Sequence, residues 1–121
     1  MATVVHFEIP ADDIARAKKF YEDLFDWKIE PYGCEGSCEY YMIQTTGEEG
    51  KPGVCGGMMA RQSPQHSTTN YIDVPSVEAG MEKVKSLGGQ VVMPKTLVPE
   101  HGYFAVCLDT EGNPFGIWET L

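Results

Sequence analysis

The chain has 121 residues, 42% of them hydrophobic and 22% charged, which fits one folded domain and excludes wholesale disorder. Nine basic against eighteen acidic side chains give a net charge of −9 with no Lys/Arg cluster, so neither nucleic acid nor an anionic membrane is an expected partner. No apolar run reaches the ~18 residues of a membrane span and the first residues lack a signal-peptide pattern, so the expected location is cytoplasmic.

In chain order, Thr3 to Pro10 reads as a strand stopped by proline. Ile14, Ala17, Phe20, Tyr21, Leu24 and Phe25 then form the apolar face of a helix that Asp12 or Asp13 can cap. Strand patterns follow at Lys28 to Pro31, Glu39 to Thr45 and Gly53 to Arg61. The polar segment Gln62 to Ser67 reads as a linker, and the order then repeats. Thr69 to Ser76 repeats the first strand, with Asp73-Val74-Pro75 answering Glu8-Ile9-Pro10 at an offset of 65. Val77, Met81, Val84 and Leu87 mark a second helix, capped by Ser76 and stopped at Gly88-Gly89. Strand patterns at Val91 to Pro94, Tyr103 to Asp109 and Phe115 to Glu119 complete it, the last two joined by a turn over Asp109 to Pro114. The expected class is α+β: a single domain, 1–121, of two βαβββ modules at about 1–61 and 68–121, with largely antiparallel sheets and helices on one face.

Four cysteines do not alter this. Cys34 and Cys38 lie in a Gly-rich stretch without the second pair a zinc site needs, and read as free thiols of a reducing compartment. Glu48-Glu49 reads as solvated charge in a hairpin loop, and the segments Tyr32 to Cys38 and Lys95 to His101 as loops.

The stretches Val5-His6-Phe7-Glu8-Ile9-Pro10, Phe20 to Lys28, and Phe104 through Asp109-Thr110-Glu111-Gly112-Asn113 to Glu119 resemble the vicinal oxygen chelate superfamily. That superfamily includes glyoxalase I, the bleomycin-resistance proteins and type I ring-cleaving dioxygenases. The resemblance covers essentially the whole chain. It implies curled sheets around a central cavity, a small-molecule ligand and a homodimer, but not one particular chemistry.

Strand alternation places Val5, Phe7 and Ile9 under the first helix, with His6 and Glu8 opposite. In the second module Ile72 and Val74 take the helix side, with Tyr71 and Asp73 opposite. Metal-using members of the superfamily draw ligands from the first and last strands of each module. Those positions fall here on His6, Met59 or a close neighbour, Tyr71 and Glu119. Only His6 and Glu119 are good donors for a divalent ion such as Ni, Zn, Mn or Fe. His66 and His101 read as surface residues, with His101 placed to supply a further imidazole at the cavity mouth.

Three functions remain open at this point. One is a small-molecule binder whose cavity is lined by His6, Glu8, Tyr71, Asp73 and Glu119, with Met59 and His101 as further ligand contacts and Tyr71 or Trp27 stacking on the ligand. A second is a metal-dependent lyase or isomerase acting on two neighbouring oxygens through His6 and Glu119, with Glu8 or Asp73 as general base. The third is metal-free acid/base catalysis by His6 with a carboxylate.

Overall fold

The computed structural model describes residues 2–32, 40–45 and 53–121. Cys34, Cys38 and Glu48-Glu49 lie outside the described residues. The chain divides into two compact units: residues 6–68, and residues 69–121 together with the first five residues.

The first unit contains β1 (Val4–Ala11, from His6 onward), α1 (Ile14–Phe25), β2 (Lys28–Pro31), β3 (Tyr40–Gln44) and β4 (Gly56–Ala60). Its strands lie in the order β1-β4-β3-β2. β1 runs parallel to β4, with Glu8 opposite Gly57, and the remaining pairs are antiparallel. Helix α1 starts where the Asp13 side chain accepts the Arg16 N–H at 3.0 Å. It ends at Asp26, which takes the left-handed conformation at φ 60°.

Ile14, Ala17 and Tyr21 of α1 pack with Phe7, Ile9, Trp27 and Tyr41 on a core of Ala11, Ile29, Ile43 and Met58. Phe20, Leu24 and Phe25 were expected on that face but are 59%, 58% and 52% exposed. Successive helical residues turn by about 100°, which sets Phe20 about 60° from Ala17 at the edge of the stripe, while Leu24 and Phe25 lie on its line in the last turn, next to the left-handed end at Asp26. Val5, also expected under the helix, is 40% exposed and groups with the other unit.

The second unit contains β5 (Thr69–Asp73), α2 (Val77–Ser86), β6 (Gln90–Val98), β7 (Gly102–Leu108) and β8 (Pro114–Thr120), with strand order β5-β8-β7-β6. β5 and β8 run parallel, with Tyr71 opposite Gly116, and the other pairs are antiparallel. Ser76 caps α2 by accepting the Ala79 N–H at 3.1 Å, and Gly88 at φ 95° follows its end. Glu78 in the first turn and Lys83 and Lys85 in the last complement the helix dipole. Val77, Ala105 and Ile117 form the core, with Val74, Met81, Tyr103 and Phe115 packed against it.

Lys95 to Val98, expected as loop, is strand. β6 continues to Val98 by pairing Thr96, Leu97 and Val98 with Phe104, Tyr103 and Gly102. Pro94 falls where the β6–β7 register shifts, and a bulge tolerates its missing N–H. The turn over Asp109 to Asn113 is built as its composition implies. The Asp109 carboxylate accepts the N–H groups of Glu111 and Asn113 at 2.8 and 2.9 Å, which holds its pKa below the ordinary value.

The caps and the bare strand positions give separate stability tests. Ser76→Ala should lower the unfolding free energy by about 1 kcal/mol in urea titration. Gly116→Ala should cost about 1–3 kcal/mol, because its methyl would overlap the Tyr71 ring.

Candidate functional site

On the face of the first unit turned away from α1, His6, Glu8 and Tyr40 form one hydrogen-bonded cluster. The alternation of β1 sends Phe7 and Ile9 to the core and His6 and Glu8 to the opposite side. The Tyr40 hydroxyl donates to Glu8 Oε2 at 3.0 Å, and His6 Nε2 lies 2.9 Å from the same hydroxyl oxygen. A phenol has a single hydrogen. With that hydrogen on the Glu8 bond, His6 Nε2 carries a proton and donates it to Tyr40.

Gly57 makes the cluster possible. It lies opposite Glu8 on β4, and a Cβ there would overlap the Tyr40 hydroxyl and ring. The ring thus lies over a bare strand position. Burial pushes the His6 pKa below the ordinary 6.5, against a smaller opposing pull from the Glu8 carboxylate. His6 is therefore predominantly neutral at pH 7, and the cluster keeps the negative sign of Glu8.

Sequence reasoning separated His6 and Glu8 from the core but missed Tyr40. The signal that could have found it is the Gly56-Gly57 pair, which asks for an aromatic ring from a neighbouring strand. Choosing Tyr40 over Tyr41 needs the β3–β4 register, in which Tyr40 pairs with Met59 and Tyr41 with Met58. Met59 is half-buried on the same face as Tyr40.

In the second unit, Tyr71 and Asp73 share the face away from α2, as alternation implies. Tyr71 is buried and contacts Phe104 edge-on, with ring centroids 6.1 Å apart. Asp73 is exposed. Glu119 acts on the helix instead. Its Oε1 accepts the Val77 N–H at 2.8 Å and so satisfies the first turn of α2. Ile117, which alternates in step with Glu119, lies in the core under α2, so Glu119 belongs to the helix side of the strand. The β8 residue in register with Tyr71 is Gly116, which has no donor group.

A metal centre of the superfamily type needs a donor from the first and last strands of each module. In the second unit those positions hold a buried tyrosine and a glycine, while Glu119 serves α2. Among the described residues, no group of three or more His, Cys, Asp or Glu side chains could hold a metal ion. The residues present do not match the four-ligand centre.

Trp27, expected to stack on a ligand, is placed elsewhere. Trp27 packs into the α1 core against Phe7, Tyr21 and Phe25, on the opposite side of the sheet from His6. His101 lies exposed in the β6–β7 turn, with its N–H on the Val98 carbonyl and its carbonyl taking the Leu121 N–H. His66 accepts the Gln62 N–H at Nδ1, 3.0 Å away, which closes the linker beside the Arg61–Asp12 ion pair.

Comparison with known proteins agrees with this fold and identifies the class. A glyoxylase-like domain-containing protein of Didymella fabae is 33% identical over 91% of this chain and 88% of its own length. The family described as bleomycin resistance protein-like N-terminal matches residues 3–45, a span that includes His6, Glu8 and Tyr40. In fold, a methylmalonyl-CoA epimerase of Streptomyces coelicolor superposes with a TM-score of 0.68 over 98% of this chain and 94% of its own, at 10% identity. The chain belongs to the vicinal oxygen chelate superfamily. Within it, the chain is a glyoxalase-like protein. The glyoxylase-type protein CFP32 of Mycobacterium bovis is 31% identical over 93% of this chain, which spans only 43% of that relative's length. Among the described residues, no helix is long and apolar enough to cross a membrane.

Two tests address the cluster. Tyr40→Phe should lower stability by about 1 kcal/mol, as expected for losing its hydrogen bonds, with circular dichroism unchanged. Because the folded state holds the His6 pKa below its unfolded value, the unfolded chain binds the proton more readily. The His6 contribution is therefore present above about pH 6.5 and is lost as pH falls through the folded pKa. In urea titrations from pH 8 to 5, wild type should lose stability more steeply than His6→Gln.

Proposed function

We propose that this chain binds a donor-rich, cationic small molecule through Glu8, Tyr40 and His6. The observation that carries this reading is the hydrogen-bonded cluster over Gly57. Glu8 supplies negative charge, Tyr40 fixes the carboxylate, and neutral His6 holds Tyr40 without cancelling that charge. A ligand rich in N–H groups meets acceptor atoms already oriented by the protein, so less ordering is needed on binding. The match of residues 3–45 to the bleomycin-resistance-like family covers all three side chains and supports a binding role.

The alternative, a metal-dependent lyase or isomerase using His6 and Glu119, draws less support. Glu119 is committed to the start of α2, and the β8 position beside Tyr71 is a glycine. Neutral His6 remains a suitable donor for a divalent metal. A cytoplasmic homodimer completes the proposal, supported by the exposed Phe20, Leu24 and Phe25 on α1.

Calorimetric titration with bleomycin at low salt tests the binding role. Wild type should bind, and Glu8→Gln and Tyr40→Phe should each weaken binding about 5- to 10-fold. No binding, or equal binding by all three proteins, would contradict it. Metal-dependent isomerisation of a methylglyoxal–thiol adduct, lost in both His6→Ala and Glu119→Ala, would favour the alternative. Light scattering should report a dimer at micromolar concentration, and Leu24→Glu should shift it toward monomer.

A further inference from the structure

The register of the first unit sets one row of side chains across all four of its strands. Glu8 on β1 lies opposite Gly57 on β4, Gly57 opposite Met42 on β3, and Met42 opposite Glu30 on β2. Directly opposed residues share a face of the sheet. In the adjoining row Phe7, Ile43 and Ile29 belong to the core under α1, so Glu8, Met42 and Glu30 take the other face, that of the His6–Tyr40–Glu8 cluster. Neighbouring strands lie about 4.8 Å apart, so the row spans about 14 Å between the Glu8 and Glu30 backbones.

This row is acidic at both ends and apolar between them. At one end the Tyr40 hydroxyl holds Glu8 at 3.0 Å. The Tyr40 ring fills the space over Gly57, and half-buried Met42 comes next. At the other end Glu30 is exposed, and its carboxylate makes no hydrogen bond or ion pair among the described residues. Lys28 shares this face but lies two residues along β2, opposite Gln44 and outside the row, and forms no ion pair among the described residues. A ligand with one cationic end would engage Glu8 and leave Glu30 to water. An anionic end would be repelled at either place, in a chain of net charge −9. Two cationic ends on a methylene chain match the whole row, with the chain resting on the tyrosine ring and the adaptable thioether of Met42.

We propose that the ligand of this face is a long α,ω-diamine or polyamine, laid along the row with one ammonium group at Glu8 and another at Glu30. The inference rests on the reading of Glu8, Tyr40 and His6 as a cation-binding cluster, and adds to it the length and the second charge of the ligand. Eight methylenes separate two ammonium groups by about two strand spacings, within reach of both flexible glutamates, whereas three methylenes cover about one.

The test titrates the full ¹⁵N-labelled chain at low salt with three probes. These are 1,8-diaminooctane, octylamine with a single charge, and 1,3-diaminopropane with both charges on a short chain. The long diamine should move the backbone amide signals of Glu8, Gly57, Met42 and Glu30 together, and bind about fivefold more tightly than either other probe. Glu30→Gln should remove that advantage. Glu82→Gln, which takes the same charge from an exposed position on α2, should keep it. Signals that move only around Glu8, equal affinity for the three amines, or a Glu30→Gln protein that keeps the advantage would overturn the inference; if Glu8→Gln still weakens octylamine, the cation-binding reading itself stands. Octylamine binding that is absent, or unchanged by Glu8→Gln, would overturn both.

Discussion

The parallel pairing of the first and last strands within each unit is the constraint on which the site depends. Pairing of β1 with β4 sets Glu8 beside Gly57, and pairing of β5 with β8 sets Tyr71 beside Gly116. Both glycines present a bare strand position to the face away from the helix, and in both units a tyrosine ring fills it. A β-branched or larger residue at either glycine would push the ring away and leave the neighbouring polar groups without their arrangement.

From that shared scaffold the two units diverge in chemistry. In the first, the ring over glycine belongs to β3 and ends in a hydroxyl that links Glu8 to His6. In the second, it belongs to β5 itself and packs on Phe104, so the face is aromatic, with Asp73 as its charged group. The repeat thus supplies one geometry twice, once polar and once apolar. Among the described residues, neither version reproduces the donor set of a four-ligand metal centre.

Much of the fold was legible in the sequence, because the repeat at offset 65 and the helical and strand periodicities are local signals. Period-two alternation also separated His6 and Glu8 from Phe7 and Ile9. Contacts set by register between distant strands were not legible. Tyr40 and Tyr41 are adjacent aromatics of equal plausibility until β3 is aligned on β4. Glu119 is a well-placed acid in sequence, but its partner is a backbone N–H 42 residues away at the start of α2. Trp27 lies just past α1, where the chain's turn into β2 brings it back to the core, which no spacing in the sequence reveals.

The central claim is that Tyr40 bridges His6 and Glu8 in a fixed order of donors. Long-range ¹H–¹⁵N correlation of the His6 ring at pH 7.5 tests it most directly, since nitrogen shifts report which ring nitrogen carries the proton. The account predicts a neutral ring protonated at Nε2 in wild type, and a mixture of tautomers in Tyr40→Phe. A ring protonated only at Nδ1 in wild type, or the same tautomer balance in both proteins, would contradict it.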